Sequence, residues 1–303
     1  MSSKNSPPNY KLSSSLSSRM SSRLSFQPKS IANSNVLLKI FCTLVIIVLI
    51  CIAIGHYAFK NGLLTCEHYV FNTYLYIILG IMLMFLVVLL NDQYGIFNSL
   101  LMIMFSNGLG TTILSFIILL ILLIGLTYAL IKVDPTNIAL CNGIWLALVL
   151  LIGILLIPTI YLGRMTDVVG LAGILTIVIV IVVGLLGYYL GDKIITFDWD
   201  YYLNIALIIL IIVAIIGGIF ISILMRDINT LLTFMYVISI ISLVIFVLLL
   251  LSNHKKLREN SDKCIDGQVI PNYPLESWTL VIKIVKIFGD LIRIFAIRKL
   301  RRR

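Results

Sequence analysis

Seven stretches of this chain, at 37–59, 69–91, 111–132, 138–162, 168–190, 203–225 and 230–251, each stay apolar for the roughly 20 residues that cross a hydrocarbon core. No other feature restricts the fold as much. Runs of this length are helical in lipid despite their β-branched content, because a lone strand would leave its backbone N–H and C=O groups unsatisfied there. Composition agrees: 60% of the residues are hydrophobic and 12% charged, about half the charged fraction of a soluble domain. The expected class is an all-α, polytopic membrane protein.

The formal charge of +10 could suggest nucleic acid, but its placement argues against that. Basic residues crowd the two ends, with no aromatic interleaving. That is the positive-inside pattern, with Lys299, Arg301, Arg302 and Arg303 suited to anionic headgroups. Residues 1–36 form a serine-rich, basic, acid-free arm. Alone in water it buries too little apolar surface to order itself, so it is either a solvated tail or a segment ordered by protein partners or lipid. The run at 37–59 is expected to act as an uncleaved signal-anchor. His56, His68 and His254 are scattered, and no nucleophile–base spacing, metal cluster or glycine-rich phosphate loop is present. The expectation is a protein that is not an enzyme and has no cofactor and no bound metal.

The C-terminal stretch "SWTLVIKIVKIFGDLIRIFAIRKLRRR" (277–303) is apolar enough to insert, yet Lys283, Lys286, Asp290 and Arg293 interrupt it. At 100° per residue these four and Thr279 share a wedge of roughly 80°. A surface-lying helix has a broader polar face; a narrow seam suits a helix enclosed by others. Asp290 stands four residues after Lys286 and three before Arg293, so either cation can pair with it. Ionisable groups inside a bundle are expensive and point to function, or else to an internal salt bridge that fixes orientation.

Insertion makes about eight spans and puts both termini on the cytoplasmic side, with "GDKIITFDWD" (191–200) opposite. Lys255, Lys256 and Arg258 then also lie opposite the arm, against the charge rule, softened by the acids at 259, 262 and 266. Cys66 and Cys264 share that opposite side, in its first and last loops, either as a disulfide or as two thiols. Cys42, Cys51 and Cys141 read as apolar filler within spans. Pro158 should kink its helix, and Trp145, Trp199 and Trp278 read as interface anchors. Small residues at Ala214, Gly218 and Ser222, and at Gly187 and Gly191, mark close helix contacts.

The order of features over 69–303 resembles the Bax inhibitor, or lifeguard, family of multipass membrane proteins. Pro135 and Asn137 are similar to its P-x-N span entrance. "VVGLAGILTIVIVIVVGLLGYYLGDKIITFDWDYYLNIALIIL" (168–210) resembles its V-x-x-A-x-x-x-T span and D-F-T-type loop, with Val169, Ala172 and Thr176 at the patterned positions. "ISLVIFVLLLL" (241–251) resembles the next span, and "IFGDLIRIF" (287–295) the helix L-Y-L-D-I-I-N-L-F. The resemblance implies that this short charged helix is inserted at the centre of a six-helix surround. It also implies a role in intracellular calcium or ion balance and cell death. The family's latch pairs two acids, responsive to protons and calcium; here Leu248 stands where the second is expected and Arg293 replaces an asparagine. One aspartate among three cations is a poor calcium site, since calcium takes six to eight oxygens. Residues 37–59 are an addition to the family core. Two readings follow: an ion-leak regulator of an ER- or Golgi-type membrane, with Asp290 gating and Lys286 as its partner, or a structural anchor in a larger assembly such as a viral internal membrane, docked through the arm.

Overall fold

The computed structural model describes residues 34–60, 62–101, 109–195, 199–221 and 228–302. The arm as far as residue 33, Phe197 and Asp198 of the D-F-T-type loop, Ser222 and Arg303 lie outside these. Eight long helices occur among the described residues: α1 (Ser34–Tyr57), α2 (Tyr69–Tyr94), α3 (Leu109–Lys132), α4 (Ile138–Met165), α5 (Val169–Ile194), α6 (Trp199–Phe220), α7 (Ile228–Ile265) and α8 (Tyr273–Arg301). Between α1 and α2, β1 (Phe59–Lys60) and β2 (Leu63–Leu64) pair antiparallel as a small hairpin. Six of the helices, α1, α2, α4, α5, α6 and α7, are long and apolar enough to cross a membrane. The protein is thus an all-α polytopic membrane protein.

Local chemistry starts two helices where the sequence places them. In "PTN" the Asn137 side-chain oxygen Oδ1 accepts from the Leu140 N–H at 3.2 Å, capping α4. Asn272 does the same for α8, accepting from Leu275 N–H at 3.1 Å, and Pro274 sits in the first turn, where its missing N–H costs nothing. α4 runs on through Pro158. α7 extends well past the end of its apolar run at 251, to 38 residues. That extension is where the sequence reading placed a loop.

The reason for the extension is visible in its cations. Lys255 donates to the Ile195 carbonyl at 3.2 Å, a free carbonyl at the end of α5, and Arg258 to the Tyr188 carbonyl in the last turns of that helix at 2.7 Å. Arg258 also pairs with Asp192, and Lys256 with Asp200. These three cations, which argued against the charge rule, are neutralised by the acids of 191–200.

α8 lies at the centre, packed against α7, α4, α2 and α5, with a lesser contact to α3. The surround is uneven: α6 packs chiefly on α7, and α1 on α2. Ile287, Ile292 and Ala296 of α8 are fully enclosed. Trp278 is also buried, and Trp145 packs edge-on against Tyr76 at 5.4 Å, so both are core side chains rather than interface anchors. The small-residue expectation divides. A Cβ on Gly187 would meet the Leu251 carbonyl oxygen at 2.6 Å and one on Gly191 would meet Lys255 at 2.9 Å, so α5 and α7 touch there. Gly218 has open space, and Gly217 makes the contact instead, beneath Phe234.

Candidate functional site

The polar seam of α8 runs inward from the end of the bundle that carries Asp192 and Asp200. At its outer end Glu276 accepts from Asn260 at 2.7 Å and from the Tyr69 hydroxyl. Two turns further in, Lys283 donates to the Thr279 carbonyl at 2.8 Å, with Asp200, Glu276 and Lys256 as the charges bearing on it. Two turns further again is Asp290, which has no exposed surface at all.

Asp290 is fully engaged. Its Oδ1 accepts from Lys286 Nζ at 2.7 Å, with Arg293 3.7 Å away, and its Oδ2 accepts from the Ser242 hydroxyl at 2.6 Å. Lys286 lies 5.5 Å over the ring of Phe246. The residues expected to converge, Lys286, Asp290 and Arg293, do so; Lys283 sits apart from them, nearer the acids of the outer end. Leu248 is not across from Asp290. The antiparallel packing sets Phe246 beside Lys286 and Ser242 beside Asp290, so Leu248 lies six residues further along α7, roughly 9 Å by helical rise.

Sequence reading missed Ser242. The available signal was a pair of serines, Ser239 and Ser242, at i and i+3 in an apolar span; both are buried. A buried charge keeps its ionised form only where hydrogen bonds and an opposite charge replace water, and this site supplies one hydroxyl and two cations. It supplies few of the oxygens that calcium requires. Asp290 supplies the one negative charge between Lys286 and Arg293. Without it those two cations would repel each other inside the bundle.

Cys66 and Cys264 are bonded to each other, with Cα atoms 5.6 Å apart, although 198 residues separate them in sequence. Beside them Tyr273, fully buried, donates to the Thr65 carbonyl, and the Asn72 amide reaches the Tyr273 hydroxyl at 3.3 Å. The first loop is thereby fastened over the start of α8. In that loop the Lys60 ammonium, 2.7 Å from Glu67, holds the Glu67 carboxyl below the usual carboxylate range. Cys42 and Cys51 are exposed on α1, and Cys141 is buried.

At the other end, Lys299 lies 3.9 Å from Asp167, and Arg301 donates to the Thr233 hydroxyl. Arg164 pairs with Asp92 at 2.6 Å. The patterned residues of α5 face inward: Ala172 and Thr176 are buried, and Thr176 donates to the Ala172 carbonyl at 2.7 Å.

No curated protein matches the chain. The family model described as Bax1-I, inhibitor of apoptosis-promoting Bax1, matches residues 66–299. Those residues hold every helix but α1, along with the disulfide and the enclosed Asp290. The chain belongs to the Bax inhibitor family.

Proposed function

We propose that this protein is a non-enzymatic, eight-span regulator of ion balance, with Asp290 as its gate and Lys286 in the role of the family's second acid. The observation that carries this reading is the enclosed Asp290, held by Lys286 on its own helix and by Ser242 across from α7. Length and apolar composition favour α3, and enclosure favours α8, as spans beside the six helices named above. Both termini then lie on the cytoplasmic side of an ER- or Golgi-type membrane, or a viral membrane derived from one. Cys66 and Cys264 lie on the oxidising side, where a disulfide persists. A part in cell-death control follows from family membership.

Loss of the Asp290–Lys286 pairing is the opening event in this account, and calcium is at most a conducted ion. The test is proton and calcium flux through liposomes containing the purified protein. Asp290→Asn, which removes the carboxylate charge and keeps the side-chain shape, should raise flux above that of the wild type. Identical flux in the two proteins would end the gate reading. The assembly-anchor alternative rests on the arm; its test is whether removing residues 2–34 disperses the protein from its assembly.

A further inference from the structure

The last turns of α8 carry Arg298, Arg301 and Arg302 at spacing i, i+3 and i+4, so their guanidinium groups share one helix face. With Tyr236 of α7 they line an open notch of about 270 Å³. Arg301 is held in place there: it donates to the Thr233 hydroxyl, and its guanidinium lies 5.7 Å over the Tyr236 ring. The nearby acid, Asp167, is taken up by Lys299 at 3.9 Å. Among the described residues no carboxylate pairs with Arg298, Arg301 or Arg302.

Three cations gathered around one notch with no counter-ion among the described residues repel one another, and the anion that best relieves this is fixed by geometry. Planar guanidinium forks match the oxygens of a phosphate and donate to it two bonds at a time. The notch also opens beside a lipid-facing surface, because Val237, Ile241 and Val244, on the next turns of α7, are exposed and apolar. An anion tethered to acyl chains would satisfy both surfaces at once. Basic pockets between helices at the membrane face take phosphorylated headgroups for this reason.

We propose that Tyr236, Arg298, Arg301 and Arg302 form a binding site for the phosphomonoester headgroup of an anionic lipid, whose chains lie along Val237, Ile241 and Val244. The site does not depend on ion passage through the bundle, so flux and lipid binding fail independently. Occupancy would brace α7 against α8, the two helices that share the Ser242–Asp290 bond.

The experiment is native mass spectrometry of the full chain in detergent, titrated with phosphatidic acid, phosphatidylglycerol or phosphatidylcholine. Single-lipid binding in micelles avoids the bulk surface potential that rewards any lysine or arginine near a bilayer by about fivefold. Phosphatidic acid should bind best and phosphatidylcholine least. Arg298→Gln and Arg301→Gln should each weaken phosphatidic acid by about tenfold, as expected for a charge-assisted bidentate contact, whereas Lys299→Gln should change it less than twofold. Protection of the buried Cys141 thiol from alkylation checks that each variant is folded. Equal losses in Lys299→Gln and Arg301→Gln, or no preference among the lipids, would overturn the site. Displacement of phosphatidic acid by millimolar inorganic phosphate would overturn the lipid assignment in favour of a soluble phosphate.

Discussion

α1 and α8 reverse the rule by which soluble proteins sort their residues. α1 has a single cation, Lys39, in an otherwise apolar run, yet most of it is exposed: Phe41, Leu44, Val45, Val48, Leu49 and Ile52 all face outward. Among its buried residues is a polar one, Thr43. α8 carries two lysines and an aspartate in its middle and is nevertheless among the most enclosed helices of the bundle. In lipid, apolar surface gains nothing by leaving the solvent, whereas an unpaired charge costs several kcal/mol there. Polarity, not hydrophobicity, decides which helix goes to the centre. The comparison teaches that the seam of α8 specifies the bundle as well as its chemistry.

That contrast can be broken most sharply at Asp290. Asp290→Ala leaves Lys286 and Arg293 enclosed without a counter-ion and should cost about 3–5 kcal/mol, read as thermal unfolding in detergent. Adding Lys286→Met should recover part of the loss; no recovery would mean that Asp290 acts by shape rather than charge. Next comes the tether between the first loop and the start of α8. Cys66→Ser should lower stability by about 2–4 kcal/mol and leave Cys264 open to alkylation, as it is not in the wild type. A smaller effect is expected where α5 meets α7. Gly187→Ala drives a Cβ into the Leu251 carbonyl oxygen and should cost about 1–3 kcal/mol, whereas Gly218→Ala meets open space and should be neutral. The smallest effect belongs to α1. Leu49→Ala, on its exposed face, should stay within about 0.5 kcal/mol of wild type; a large loss there would show that α1 has a protein neighbour rather than lipid.

Much of the fold was legible because each long apolar run can be only a helix in lipid. The start of α4 after Asn137 could be read locally, as could the narrow seam of α8, whose 80° wedge is a property of spacing alone. What escaped depends on register between helices. Ser242 as the partner of Asp290, and the displacement of Leu248 from that place, follow from how α7 slides against α8, which no single-helix pattern encodes. The polar end of α7 was misread as a loop for a related reason. Lys255 and Arg258 look like loop residues until the ends of α5 are brought beside them. Trp145 and Trp278 misled in the same way: indole rings near span ends suit an interface, and only tertiary packing places these two in the core.

The central claim is that the charged helix crosses the bundle rather than lying on its surface. Labelling with a membrane-impermeant maleimide tests it directly, using Asp262→Cys at the end of α7 and Arg302→Cys at the end of α8, both exposed positions, in sealed vesicles of one orientation. If α8 spans, the two cysteines react from opposite sides, and Arg302→Cys reacts from the same side as Leu38→Cys at the start of α1. Reaction of Asp262→Cys and Arg302→Cys from one and the same side would put α8 on the surface and contradict the account.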